Sequence, residues 1–353
     1  MPDAPVPAGP TSDALGRLPR PPFHPHVQAV MEAVRLPSIT PGLIGNLREA
    51  NAEDPEELER RGFERTEHPV PAHGGGTNRL TTWRPRGAGV GPGYLFIHGG
   101  GMVSGNRFAA GDMVPPLLEE GGVLASIEYR LAPEHPAPVP VEDCHLAVSW
   151  ALEHADELGF DPDRTLLAGT SAGGGLAAGV LLRLRDRGGP RLAGGWLNCP
   201  MLDDRSDSVS AQQFHRLGLF WDGVSNRTGW QALLGEACGT DAVRVYDAPA
   251  RADWLGGLPP LLVTVGSAEV FRDEDVAFAS AVWRDGGDCQ LLVVPGGTHS
   301  YVGAAPDSDI AAVHQEVVQR WIASRLDPDQ PDGARAAIKQ LRPLKDCYPP
   351  QLP

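Results

Sequence analysis

Length and charge limit the class of this protein before any motif is considered. A chain of 353 residues can form one large α/β domain with additions or two modest domains. Its formal net charge of −15 disfavours nucleic acid and anionic membrane surfaces as partners, and no apolar stretch is long enough to cross a bilayer. The first seven residues contain no basic residue and no apolar run, so we expect no secretory signal and a cytoplasmic protein.

The cysteines argue against a disulfide framework and against a zinc site. They are odd in number, and no two of them have Cys-x-x-Cys spacing. We therefore expect reduced and mostly buried thiols at Cys144, Cys199, Cys238, Cys289 and Cys347.

The first sixty residues are predicted to be an attachment to the main fold. Residues 1–24 are rich in proline and small residues, which is typical of a disordered or surface-lying arm. Residues 25–62 are predicted to be helical, because apolar side chains recur at helical spacing over His26–Leu36 and Pro41–Asn51.

From residue 63 the pattern changes to short apolar runs that alternate with helical stretches. This pattern extends over 63–200 and again over 258–326, and it predicts an α/β fold with a mostly parallel central sheet flanked by helices. The predicted strands are Leu80–Trp83, Gly93–Ile97, Val123–Tyr129, Thr165–Ala168, Ala193–Cys199, Leu261–Val265 and Gln290–Val294. The predicted helices are Val141–Leu158, Ala172–Arg187, Asp273–Arg284 and Asp307–Leu326.

Two segments depart from this alternation. Residues 201–257 are polar turns with one amphipathic piece, and an insertion at this point would cover the carboxyl ends of the strands as part of a cap. Three aromatic residues within it, Phe220, Trp221 and Trp230, either line a substrate pocket or form the insertion's own small core, and the sequence leaves both readings open. Residues 327–353 are proline-rich and are predicted to be a tail that could embrace a second copy of the chain.

A Gly-x-Ser-x-Gly stretch marks the candidate nucleophile. Gly169–Gly173 reads GTSAG, follows the predicted strand Thr165–Ala168 and opens a predicted helix. The turn from strand to helix is too sharp for bulky neighbours, and its strain pushes the serine hydroxyl into a cleft. Ser171 is therefore predicted to be the nucleophile of acyl-transfer chemistry.

A glycine run earlier in the chain supplies the matching electrostatic element. His98–Gly101 reads HGGG and directly follows the predicted strand Gly93–Ile97, so its backbone N–H groups can stabilise an oxyanion in the same cleft. A second copy, His73–Gly76, lies among polar and turn residues with no buried strand before it. That copy is predicted to be a hairpin loop.

Two further stretches, Tyr129–Pro136 (YRLAPEHP) and Asp161–Arg164 (DPDR), make the combination of motifs more diagnostic of one family. Together they resemble the hormone-sensitive-lipase-like branch of the α/β-hydrolases, the bacterial carboxylesterases, over about residues 25–326. The resemblance implies an α/β-hydrolase core, a helical cap built from the N-terminus and the mid-chain insertion, and ester hydrolysis without a metal or cofactor. Thr170 resembles the family members that carry threonine rather than aspartate before the nucleophile.

The resemblance also implies roles for individual residues. It assigns the oxyanion to the amides of Gly100, Gly101 and Ala172, with His98 and Gly99 completing the motif. The chain order in this fold is serine, acid, histidine.

Only two histidines follow the mid-chain insertion. His299 lies in a loop after the last predicted strand and is the expected general base. His314 lies within the final predicted helix, where a packing or surface role is expected.

The triad acid is predicted from a family stretch that ends in Arg-Asp-Glu. Here Gly266–Glu274 reads GSAEVFRDE, so Glu269 stands where the family usually has aspartate. Glutamate can orient the imidazole as aspartate does if the loop retreats to accommodate the extra methylene. Asp273 and Glu274 are the competitors, although both are more typical of the first turn of the following helix.

These predictions describe a serine carboxylesterase that acts on neutral short- to medium-chain esters, which are small-molecule substrates. An amide or lactone hydrolase, or an acyltransferase, would use the same triad and remains the alternative. A non-catalytic ligand-binding receptor on the same scaffold is disfavoured, because Ser171 and His299 are both present.

Overall fold

The computed structural model describes residues 18–34, 36–51, 54–109, 121–217 and 220–326. Its central element is an eight-stranded sheet with the order β1-β2-β4-β3-β5-β6-β7-β8. The strands are β1 Phe63–Pro71, β2 Thr77–Pro85, β3 Gly91–Ile97, β4 Val123–Ile127, β5 Phe160–Thr170, β6 Gly194–Asn198, β7 Leu261–Gly266 and β8 Cys289–Val294. β2 is antiparallel to both of its neighbours, and every other pair is parallel.

Helices precede the sheet, connect its strands and follow it. They are α1 Pro25–Ala33, α2 Ile44–Ala50, α3 Glu57–Arg60, α4 Val139–Glu153, α5 Ala155–Leu158, α6 Ala172–Asp186, α7 Val209–Gln213, α8 Gly223–Leu234, α9 Arg272–Arg284, α10 Tyr301–Ala304 and α11 Asp309–Leu326. Short 3₁₀ turns lie at Pro41–Leu43, Gly235–Ala237 and Pro249–Arg251. Among the residues described, no helix combines the length and hydrophobicity needed to span a membrane.

The predicted α/β fold with a mostly parallel sheet is confirmed, and each predicted strand overlaps an observed one. Strand β1 was not predicted, because it lies at the edge of the sheet and carries charged residues and two prolines, Pro69 and Pro71, that hide the apolar alternation. The helix predicted over Val141–Leu158 is two helices, since α4 ends at Glu153 and α5 begins at Ala155.

The core has one layer on each face of the sheet, as the alternation of side chains along a strand requires. In β3, Leu95 and Ile97 belong to the larger cluster, which also contains the apolar residues of α6. Tyr94 and Phe96 point to the opposite face and share a second cluster with Trp321 of α11. Both faces are covered by helices, so the carboxyl ends of the parallel strands are left as the place for a cleft.

The second glycine run forms the hairpin that was predicted for it. β1 and β2 pair antiparallel with Pro71 opposite Thr77, so His73–Gly76 lies in the connecting turn. Gly74, Gly75 and Gly76 all have positive φ there.

The segment before α2 is joined to α8 of the mid-chain insertion. The Ile39 amide donates to Ser225 Oγ at 2.8 Å, and the Ile39 carbonyl accepts from Thr228 Oγ1 at 2.9 Å. The Ser38 hydroxyl donates to the buried carboxylate of Asp222. Two stretches about 185 residues apart in sequence therefore lie together.

Three predictions fall partly or wholly outside the described residues. These are the arm over 1–24, of which only 18–24 are described, the tail over 327–353, and Cys347. The other four cysteines are free thiols; Cys144, Cys199 and Cys289 are buried and Cys238 is partly exposed.

Candidate active site

Ser171 stands at the turn between β5 and α6 in a conformation that side chains rarely adopt. Its φ is 57° and its ψ is −121°. The backbone on both sides of it is anchored, because its amide donates to the Asn198 carbonyl at 2.8 Å and its carbonyl accepts from the Met201 amide at 3.0 Å. Such strain persists only where surrounding structure holds it, and it is typical of functional sites.

The small residues of the GTSAG stretch are required by close backbone approach. A Cβ on Gly169 would overlap the Gly173 carbonyl, and a Cβ on Gly173 would overlap the Ile97 carbonyl at the end of β3. The glycines therefore let α6 start directly against β5 and β3, which fixes the position of Ser171 above the sheet.

Two hydrogen bonds connect Ser171, His299 and Glu269. His299 Nε2 lies 3.0 Å from Ser171 Oγ, and His299 Nδ1 lies 2.9 Å from Glu269 Oε2. The carboxylate can only accept, so Nδ1 carries the proton and Nε2 is left as the acceptor for the serine hydroxyl. All three side chains are buried, and the Phe271 ring packs edge-on against the imidazole.

The competing acids and the competing histidine are engaged elsewhere. Asp273 accepts from the Ser210 amide and from Arg272, while Glu274 accepts from the amide of Leu202. His314 accepts or donates through Nδ1 to the Tyr301 hydroxyl at 2.6 Å, and burial lowers the pKa of His314 to about 4. Of the candidates, the structure brings Glu269 and His299 to Ser171.

His98 holds the backbone of the glycine loop, which comprises residues 98–104 after β3. Its ring stacks on Tyr129 with centroids 4.2 Å apart, and its Nδ1 donates to the Gly99 carbonyl at 2.8 Å. Burial lowers the pKa of His98, so the ring is neutral. The Tyr129 hydroxyl donates to the carbonyl of His98 itself at 3.1 Å.

The bond from His98 sets the direction of an amide as well as a carbonyl. In a trans peptide the C=O of one residue and the N–H of the next point in opposite directions. Holding the Gly99 carbonyl toward His98 therefore turns the Gly100 amide away from it. In the described part of the chain, neither the Gly100 amide nor the Gly101 amide donates to another group.

A cavity of about 380 Å³ opens over Ser171. No Asp, Glu, Lys or Arg occurs among its described lining residues, which are Leu36, Pro37, Ile39, Leu43, Asn46, Leu47, Ala50, Asn51, Gly99, Gly100, Gly101, Thr170, Ser171, Phe220, Trp221, His299 and Ser300. Nearly half of this wall comes from residues 36–51. The resemblance implied that the N-terminal segment contributes to a cap, but no residue of that segment was predicted to line the pocket, because helical spacing records an apolar face and not what it covers.

The three aromatic residues of the insertion that were predicted either to line a pocket or to form a core do not share one position. Phe220 and Trp221 line the cavity, and the Trp221 ring lies so close to Gly101 that a Cβ there would overlap it. Trp230 is fully buried within the larger core cluster and is not one of the lining residues.

Ala172 is also fully buried, at the first position of α6.

Two groups of donor atoms among the described residues lie close enough to share a metal ion. One comprises Cys199, Glu269 and His299. Burial raises the pKa of the Cys199 thiol well above its usual range, and both nitrogens of His299 already have partners, so this group does not fit a metal. The other comprises His24, His26 and Asp309 at the surface.

Sequence comparisons point to one fold family. Residues 94–303 match a family described as alpha/beta hydrolase fold. The carboxylic ester hydrolase LipN of Mycobacterium tuberculosis is 34% identical over 230 residues, covering 62% of this chain and 60% of that protein. Esterase LipI of the same organism is 32% identical over 216 residues, covering 61% of this chain and 67% of that protein. The match to LipN therefore spans less than two thirds of that relative's length.

Comparison of structures gives longer matches. A bacterial heroin esterase is similar with a TM-score of 0.79 and 31% identity, over 86% of this chain and 98% of that one. The esterase LipW from Mycobacterium marinum is similar with a TM-score of 0.74 and 25% identity, over 91% of this chain and 99% of that one.

Proposed function

The chain belongs to the alpha/beta hydrolase fold family, in its hormone-sensitive-lipase-like branch, and on this premise we propose that it is a serine carboxylesterase. The observation that carries the proposal is the pair of hydrogen bonds from Ser171 Oγ through His299 to Glu269, at 3.0 and 2.9 Å. The names of the relatives, carboxylic ester hydrolase and esterase, support the same reaction.

The proposed mechanism begins with attack of Ser171 Oγ on the ester carbonyl. His299 Nε2 takes the serine proton and returns it to the leaving alcohol, which leaves an acyl-enzyme; water then repeats the sequence and releases the acid. Glu269 holds the imidazole in the tautomer that can accept the proton and stabilises the imidazolium that forms. No cofactor enters these steps.

The oxyanion of each tetrahedral intermediate is assigned to the amides of Gly100, Gly101 and Ala172. Two observations support this assignment. The amides of Gly100 and Gly101 donate no hydrogen bond within the described part of the chain, and Ala172 directly follows Ser171 at the start of α6. Preorganised donors of this kind contribute a large share of the rate enhancement, because they need no reorganisation as charge develops.

The cavity favours neutral substrates of modest size. Its wall is mostly apolar and lacks charged side chains among the described residues. An ionised acyl or alcohol group buried there would therefore lose its hydration without gaining a charged partner. Its volume of about 380 Å³ lies at the low end of the range for ligand pockets, which suits short- to medium-chain esters.

The cap and the assembly are part of the proposal. We propose that residues 25–62 and 201–257 form a cap over a core made of 63–200 and 258–326; the contacts of Ile39 with Ser225 and Thr228 support it. From the sequence we also propose that the protein is cytoplasmic and that it forms a homodimer. Cell fractionation tests the former, and light scattering on the full chain tests the latter.

The proposal is tested with a chain-length series of p-nitrophenyl esters and a fluorophosphonate label. We expect wild type to hydrolyse the short members and to be labelled, and Ser171→Ala to lose both. Ser126→Ala is the matched control, because Ser126 is also buried, lies on β4 and has a hydroxyl without a described partner. Full turnover in Ser171→Ala would refute the proposal, and transfer products without hydrolysis would favour an acyltransferase.

A further inference from the structure

The Gly100 carbonyl is held by more donors than a loop carbonyl needs. It accepts from the Val103 amide at 3.1 Å, from the Ser104 amide at 2.9 Å and from the Ser104 hydroxyl at 3.0 Å. The Gly100–Gly101 peptide is trans, so this carbonyl and the Gly101 amide point in opposite directions. The three donors therefore fix where the Gly101 amide points.

The Ser104 hydroxyl is itself oriented by a residue from the N-terminal segment. Asn51, the C-cap residue that follows α2, donates from Nδ2 to Ser104 Oγ at 3.0 Å. A hydroxyl has one proton, and the bond from Asn51 occupies the oxygen as an acceptor, so the proton is directed to the Gly100 carbonyl. Ser104 is fully buried, which protects this arrangement from water.

The end of α2 is fixed to the same loop by a second side chain. Arg48 donates to the Val103 carbonyl at 2.7 Å and to the Ala132 carbonyl at 3.0 Å, and it pairs with both oxygens of Glu134. Arg48 thus sets the distance between α2 and the glycine loop, and Asn51 reaches Ser104 across that distance.

We infer that Asn51 and Ser104 are positioning residues for the Gly101 oxyanion donor, acting as a relay from Asn51 Nδ2–H through Ser104 Oγ–H to the Gly100 carbonyl. The inference rests on the proposed esterase function. It assigns to the N-terminal segment a part in the chemistry, beyond lining the cavity.

The relay predicts a graded loss of rate. Removing an oxyanion donor outright costs about a hundredfold or more in kcat. Ser104→Ala leaves two amides on the Gly100 carbonyl, so we expect a smaller loss of about tenfold in kcat with little change in KM. Asn51→Ala leaves the hydroxyl in place but unguided, and about a threefold loss is expected.

Asn51→Asp reverses the polarity of the first link. A carboxylate accepts a hydroxyl proton more strongly than a carbonyl does, so the Ser104 proton turns away from Gly100. We therefore expect Asn51→Asp to lose more rate than Asn51→Ala and to approach Ser104→Ala. The added charge is controlled by repeating Asn51→Asp in the Ser104→Ala background, where no hydroxyl remains to be redirected.

The decisive readout separates transition-state from ground-state binding. A trifluoromethyl ketone forms a hemiketal oxyanion with Ser171, whereas the matching carbinol occupies the cavity without charge. In Ser104→Ala the Ki of the ketone should rise by the same factor as kcat/KM falls, and the Ki of the carbinol should stay constant. A structural defect would instead weaken both ligands together.

Two results would overturn the relay. One is a ketone Ki that is unchanged in Ser104→Ala, or that shifts equally with the carbinol Ki. The other is full additivity of Asn51→Ala and Ser104→Ala, since links in series must be less than additive. Failure of the esterase proposal is recognised separately, because Ser171→Ala would then retain turnover.

Discussion

Exchanging Glu269 for glutamine tests the proposed triad of Ser171, His299 and Glu269 with almost no change in side-chain shape. Glu269 is fully buried, its Oε2 accepts from His299 Nδ1 at 2.9 Å, and its Oε1 has no described partner. If the glutamine NH₂ group takes the place of Oε1, it is buried where the carboxylate oxygen has no hydrogen-bond partner. We therefore expect the NH₂ group to take the place of Oε2 and to donate to His299 Nδ1. The histidine proton is then forced onto Nε2, which can no longer accept the proton of Ser171.

The expected magnitude follows from the loss of the proton acceptor. Holding the imidazole in the wrong tautomer costs about 10³ to 10⁴ in kcat, which corresponds to about 4 to 5 kcal/mol of transition-state stabilisation. KM should change little, because Glu269 does not line the cavity.

The assay is p-nitrophenyl acetate hydrolysis by wild type, Glu269→Gln and Asp273→Asn, with thermal unfolding to show that each variant is folded. Asp273→Asn is the matched control, since the Asp273 carboxylate accepts from the Ser210 amide and from Arg272 rather than from His299. Its turnover should stay within a few-fold of wild type. A folded Glu269→Gln variant within tenfold of wild type would refute the reasoning, as would collapse of turnover in Asp273→Asn.

Two further predictions use the glycine runs and the buried histidine. Gly101→Ala should lose at least about a hundredfold in kcat/KM, because φ at Gly101 is +64° and the new Cβ would overlap the Trp221 ring. Gly75 has a φ of +94° and open space around it, so Gly75→Ala should lower the free energy of unfolding by only about 1–2 kcal/mol and leave activity intact. Equal activity of the two variants would contradict this. Burial lowers the pKa of His314 from 6.5 to about 4. Between these two pH values the native state binds fewer protons than the unfolded chain, so the free energy of unfolding falls by up to about 3 kcal/mol as the pH falls from 6.5 to 4. In His314→Gln the free energy of unfolding, measured in urea from pH 7 to 4, should fall less steeply than in wild type. An equal pH dependence in the two proteins would contradict the lowered pKa of His314.

The sequence by itself located the elements whose geometry is local. The GTSAG turn requires glycine at Gly169 and Gly173 because helix and strand backbones approach within contact distance, and that requirement is written in the residues of the turn. The buried parallel strands were equally visible, since each reads as a short apolar run between turns. β1 was hidden because an edge strand with one exposed face tolerates charge and proline.

Tertiary structure decided which side chains meet. Glu269, Asp273 and Glu274 lie within six consecutive residues. The path of the loop between β7 and α9 directs Glu269 to His299, whereas Asp273 and Glu274 accept from amides of the mid-chain insertion. It also brought residues 36–51 over Ser171, through contacts that join positions about 185 apart. Periodicity records which face of a helix is apolar and carries no information on what that face will cover. The proposed nucleophile, Ser171, is thus recognisable from a short stretch of sequence, whereas its contacts with His299 and Glu269 and the wall of its cavity result from long-range packing.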